Sequence, residues 1–251
     1  MLRVKFKQKF KLFQFYRIMH LMALMNFIKN ELQGWGKIER IIFPLEILLI
    51  VVISLYMGDN KIALISAVCG ISYTILAGKG KISCYIFGLT GTMCYAYIAF
   101  LNTLYGNLFL YALYYFPMQV LGIFKWRQNL NSKTREIVKT TLTMNERIIY
   151  FICAIIGSIL LAMILELSGD KTPYIDGITT IFSVIGLLLT VKRCIEQWYI
   201  WIVVNGLSMI MWIEAYKNGS NCFATILMWA TYLVLAFYFL HTWKKEIEAG
   251  K

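Results

Sequence analysis

Eight apolar stretches, each parted from the next by a polar or glycine-containing connection, occupy most of the chain between residues 41 and 243. They fall at 41–57, 61–77, 82–101, 104–124, 148–168, 172–191, 198–216 and 222–243. Each has the length that an α-helix rising about 1.5 Å per residue needs to cross roughly 30 Å of hydrocarbon. The pattern predicts an all-α transmembrane protein of eight spans. Residues 1–40 precede the spans as a basic arm and 244–251 follow as a tail.

Charge sharpens this picture. With 59% apolar and only 15% charged residues, a soluble domain of this size could not bury so much apolar surface. Of 25 Lys and Arg, three (Lys61, Lys171 and Lys217) fall in alternate connections, and the remaining 22 fall in the arm, the 78–81 turn, the 125–147 loop, the 192–196 turn and the tail. The positive-inside rule then predicts a multi-pass cell-membrane protein with both termini cytoplasmic, which requires an even number of spans.

The net charge of +12 is concentrated in those connections, where orientation and anionic lipid account for it without a nucleic-acid partner. In the arm, Lys5, Lys7, Lys9, Lys11 and Arg17 interleave with Phe6, Phe10, Phe13 and Tyr16, which suits a helix lying on the inner leaflet of the lipid bilayer. No small-residue cleavage site follows the 19–28 run, so it does not read as a signal peptide. Six scattered cysteines without a CxxC and two histidines predict neither a disulfide framework nor a metal site. The Gly78-Lys79-Gly80-Lys81 turn lacks the earlier glycine of a phosphate loop, and HExxH and GxSxG are absent, so no enzyme and no cofactor is expected. Glu46, Glu166, Glu196 and Glu214 lie within a turn or two of span ends, which argues against coupling through deep carboxylates.

The chain also repeats. Gly70 and Gly186 stand 116 apart, Gly91 and Gly206 115, and Trp126 and Trp243 117, which lays spans two to four onto spans six to eight. This predicts one three-span unit at 58–124, a loop and linker span at 125–168, and a second unit at 169–243, with 41–57 as an extra N-terminal span. Three spans plus one linker keep both units in the same orientation: a parallel repeat in a 3+1+3 core of the kind found in SWEET-like transporters.

Two segments carry candidate chemistry. In the seventh span Trp198, Trp201 and Asn205 share one helical face, and in the fourth Tyr115, Gln119, Gly122 and Trp126 do the same. Counted from the basic ends, Gln119 lies about 9 Å deep and Asn205 about 13 Å. Two primary amides at similar depth can meet one ligand, or each can bond a neighbouring helix. Trp126 and Trp198 also suit an interfacial aromatic belt, for which Trp201 is too deep. Gly88, Gly91, Gly122, Gly186 and Gly206 suit close helix packing.

At Trp198-x-x-Trp201-x-x-x-Asn205 and Tyr115…Gln119-x-x-Gly122-x-x-x-Trp126 the sequence resembles the PnuC family of vitamin transporters, over roughly residues 41–243. The resemblance implies facilitated diffusion of nicotinamide riboside, a precursor of NAD, followed by trapping through a cytosolic kinase acting downstream. It makes Gln119, Trp198, Trp201, Asn205, Tyr115 and Trp126 the expected substrate-binding residues. Many members carry Asn and an aromatic where this chain has Gln119 and Phe124. A flat cationic pyridinium with a carboxamide and ribose suits rings and amides without a deep carboxylate. Thiamine, riboflavin and deoxynucleosides are flat as well, and a receptor or lipid-binding scaffold would share the eight spans. Whether the chain forms a homo-oligomer is left open by the sequence.

Overall fold

The computed structural model describes residues 19, 22, 25–26, 28–58, 61–101, 105–132, 134–169, 172–219 and 223–250. Most of the proposed amphipathic arm, and Lys171 and Cys222, lie outside the described residues. Among the described residues eight helices are long and apolar enough to cross a membrane, and there is no named strand. The first three are Glu39–Met57, Lys61–Gly78 and Cys84–Leu101, and the last four are Met144–Leu167, Pro173–Val191, Gln197–Lys217 and Phe223–Glu248.

The fourth span departs from a regular helix. It is assembled from Tyr105–Leu110, a π-helical turn Tyr111–Tyr115 and Phe116–Arg127. Pro117 explains the break, because it has no N–H to give and its ring would press on the carbonyl four residues back. A wider turn just before it relieves both problems, and the Phe116 N–H reaches back five residues to the Tyr111 carbonyl.

Span five starts a turn earlier than the hydrophobic pattern alone suggests. Thr143 and Glu146 form a capping box: the Glu146 carboxylate accepts the Thr143 N–H at 2.9 Å, and the Thr143 hydroxyl accepts the Glu146 N–H at 3.4 Å.

Neighbour relations explain where a cavity can form. The second span packs on the third and the third on the fourth; likewise the sixth packs on the seventh and the seventh on the eighth. The two triplets meet reciprocally, the fourth span against the sixth and the eighth against the second. The fifth span lies on the sixth, and Phe43 of the first packs against Tyr238 and Phe239 of the eighth at ring separations of 6.0 and 5.8 Å. This arrangement fits two three-span units around a linker, with an added first span.

The basic connections gather at one end. Residues 134–142 cross that end as a strap, the Ile137 N–H bonded to the Gly80 carbonyl at 3.0 Å and the Val138 carbonyl accepting from Arg193 at 2.8 Å. Lys81 pairs with Glu136 at 3.3 Å, and Lys139 pairs with Glu246 while its ammonium stands 5.2 Å from the Trp243 ring. Four connections that the charge pattern assigned to one side are therefore joined there.

Candidate functional site

Between the triplets lies a cavity of about 440 Å³, within the range of small-molecule sites. Gln119, Tyr115, Trp198, Trp201 and Asn205 all line it, so five of the six expected site residues are brought together. None of the described residues lining it is charged.

Trp126 is the exception. It is fully buried outside the lining, where its indole N–H donates to the Thr190 carbonyl at 3.0 Å. Its ring meets Tyr85 edge-on at 5.0 Å, and Tyr85 in turn fills the space that Gly122 leaves. A Cβ at Gly122 would collide with the Tyr85 ring and hydroxyl, so helix packing requires glycine there. Trp126 thus seals the seam between the two triplets beside Thr190, which lines the cavity, instead of facing the interior itself.

The second triplet builds the same seal. Trp243 is fully buried and donates to the Gly78 carbonyl at 2.7 Å, reaching into the first triplet as Trp126 reaches into the second. Trp198 meets Trp243 edge-on at 5.6 Å and an interplanar angle of 82°, against 78° for Tyr85 and Trp126. Tyr85 and Trp198 therefore correspond, at an offset of 113 rather than the 115 read from Gly91 and Gly206. Those two glycines do different work: a Cβ at Gly91 would stand 3.3 Å from Cys69, whereas nothing lies within 4 Å of one at Gly206. Close packing, expected at Gly206, is absent.

At the offset of 113, Trp201 corresponds to Gly88 and Asn205 to Thr92, so one triplet offers an indole and an amide where the other offers bare backbone and a hydroxyl. The Trp201 ring lies along Gly186, where a Cβ would stand 3.1 Å from it. Its N–H donates to the Thr190 hydroxyl at 3.3 Å, and that hydroxyl donates to the Gly186 carbonyl at 2.8 Å. Thr190 thus holds both Trp126 and Trp201.

In the first triplet Gln119 donates through Nε2 to the Thr92 hydroxyl at 2.9 Å, which leaves Oε1 buried without a protein partner. Trp198 Nε1, Tyr73 OH and Trp229 Nε1 are likewise buried and unbonded, and all three residues line the cavity. Leaving such a group unmet costs about 1–3 kcal/mol, and all four belong to residues that build the wall of this one cavity. Tyr95, Tyr111 and Tyr115 stack along the lining at ring separations of 4.3 and 4.6 Å, with the last two presented by the π turn.

Sequence reasoning missed Tyr73, Thr92, Thr190 and Trp229. One signal was available for Thr190: Gly70-x-x-x-Thr74 recurs as Gly186-x-x-x-Thr190, and in both the threonine hydroxyl bonds the glycine carbonyl.

Comparison with known proteins agrees with this architecture. A family model described as nicotinamide mononucleotide transporter matches residues 60–245. The nicotinamide riboside transporter PnuC of Neisseria mucosa is 32% identical over 226 residues, covering 88% of this chain and 86% of its own. Its counterpart from Haemophilus influenzae is 30% identical over 230 residues, covering 90% and 99%. A crystal structure of the vitamin B3 transporter PnuC shares the fold at a TM-score of 0.75 and 31% identity, over 89% of this chain and 97% of that one. With a family match across three quarters of its length and relatives aligned nearly end to end, the chain belongs to the nicotinamide mononucleotide transporter family of membrane proteins.

Proposed function

We propose that the protein imports nicotinamide riboside across the cell membrane through the cavity between its two triplets. One observation carries this reading: a cavity between the triplets walled by indoles, phenols and amides, with no charged residue among its described lining. A flat pyridinium gains roughly 0.5–2 kcal/mol over an indole face, enough for reversible binding. The family model's description names the mononucleotide, but a phosphate would find no cationic side chain in this lining, whereas the relatives named for the riboside fit it.

Trp198 and Trp201 form the stacking wall, Asn205 and Gln119 meet the carboxamide and ribose, Tyr115 completes the opposite face, and Trp126 acts through the seal. The strapped, basic end faces the cytosol, where phosphorylation by a kinase traps the product. Transport follows the substrate gradient. In proteoliposomes, counterflow of labelled nicotinamide riboside proceeds without ATP, sodium or a pH gradient; uptake that collapses with a protonophore overturns the mechanism. The same assay with thiamine, riboflavin and deoxynucleosides in competition tests the substrate. Single cysteines at exposed Arg135 and Lys245 are shielded in intact cells and one at Lys217 is labelled; the reverse pattern overturns the orientation.

A further inference from the structure

Span six ends at Val191, so the Thr190 carbonyl is one of the last four that its own helix leaves open. The Trp126 indole and the Arg193 N–H both use it, at 3.0 and 2.9 Å. The Thr190 side chain is committed separately. Its hydroxyl carries one hydrogen, which goes to the Gly186 carbonyl at 2.8 Å, so the oxygen is left with a lone pair of fixed direction. The Trp201 indole N–H meets that oxygen at 3.3 Å. Thr190 is 1% exposed, and with its only hydrogen spent it has none to offer a ligand.

Gly186 supplies the room for this bond. A Cβ there would stand 3.1 and 3.2 Å from Trp201 Cε2 and Cζ2, the ring edge beside the nitrogen. Contacts so short would push the indole away by a few tenths of an ångström and stretch a bond already at 3.3 Å. The two indoles of the wall are held in different ways. Trp198 is buried against Phe239 and Trp243 at ring separations of 5.3 and 5.6 Å, and its N–H is unbonded. Trp201 is only half-buried, and the torsion that turns an indole about its Cβ is broad, so a bond at the ring nitrogen selects one plane.

We infer that Thr190 is a positioning residue for the stacking wall: its hydroxyl fixes the plane in which Trp201 faces the ligand, and it acts through that indole and not on the substrate. The assignment takes its ligand from the riboside reading of the cavity. Because Trp126 is held by the Thr190 main chain and Trp201 by its side chain, a substitution can remove one tie and keep the other.

The test joins NMR of the indole-labelled full chain in detergent with calorimetry using nicotinamide riboside. The Trp201 signal is identified by its loss in Trp201→Phe, and in the parent its N–H proton stands at a hydrogen-bonded, downfield position. Thr190→Val moves that signal upfield, Thr190→Ser returns it, and the Trp126 signal stays in place in both. Thr190→Val weakens nicotinamide riboside by about 3- to 12-fold, and Thr190→Ser stays within about twofold of the parent. In the Trp201→Phe background, which has no N–H to hold, Thr190→Val adds nothing further. An unbonded Trp201 proton in the parent overturns the proposal without any variant. A loss of affinity that persists in the Trp201→Phe background, or that serine does not rescue, overturns it too, as does a Thr190→Val chain that binds like the parent. A parent that does not bind nicotinamide riboside overturns the riboside reading, while the indole signals still decide whether Thr190 holds Trp201.

Discussion

At the basic end the two triplets use one device twice: Trp126 reaches across to the Thr190 carbonyl and Trp243 to the Gly78 carbonyl, each with an aromatic ring set edge-on against it. One and two turns deeper the likeness ends, with Gly88 and Thr92 on one side and Trp201 and Asn205 on the other. Two reciprocal bonds close a gap between equal halves efficiently, so symmetry serves the seal. A ligand with different ends is poorly matched by equal walls, so the walls diverge where it is held. The repeat thus separates the part of the molecule that closes from the part that selects.

The largest expected effect tests the shared half of this comparison. Trp126→Ala and Trp243→Ala each remove a fully buried indole, and each lowers stability by about 3–5 kcal/mol, read as matched drops in unfolding temperature. A large loss for one and none for the other would break the equivalence of the seals.

The unequal half predicts a smaller, ligand-dependent effect. Trp201→Ala weakens a cationic pyridinium ligand by roughly 0.5–2 kcal/mol more than a neutral flat analogue, because cation–π attraction goes along with contact area. Competition binding with both ligands reads the difference; equal losses would reduce Trp201 to a surface.

Smallest is the effect of the strap. Burial disfavours the Lys139 ammonium and brings its pKa down from 10.5 to about 8, with Lys79 and Lys81 adding to the fall and Glu136 opposing it. The unfolded chain then holds this proton more tightly than the folded one, so the parent gains stability as pH rises from about 8 towards 10.5. The gap in unfolding temperature between parent and Lys139→Met shifts in the parent's favour over that window. A gap independent of pH would contradict the burial of a titrating lysine.

Much of this was legible in the residues. Span number and the grouping of basic connections follow from length and charge, which the bilayer enforces on every span independently of tertiary detail. The stripe of Trp198, Trp201 and Asn205 was readable because helical spacing alone puts them on one face. Trp126 was misplaced for the same reason: spacing gives the face and not the neighbour, and its neighbour is Thr190, whose carbonyl takes the indole out of the cavity. Tyr73 and Thr92 stayed hidden because the packing of Tyr73 on Gly88 and the bond of Thr92 to Gln119 are contacts between spans that no local pattern encodes. The π turn was missed although Pro117 signalled a break, since a proline says where a helix must yield and not how.

The account rests on one cavity shared by two unequal walls, and calorimetry with nicotinamide riboside on Gln119→Leu, Asn205→Leu and the double variant tests it most directly. Each single change, at a buried position in the cavity lining, lowers affinity by about 1–3 kcal/mol, roughly 5- to 150-fold, with unfolding temperature preserved. The double variant abolishes measurable binding. Two well-folded single variants that bind nicotinamide riboside as tightly as the parent would show that the amides serve only the packing and that the substrate site lies elsewhere.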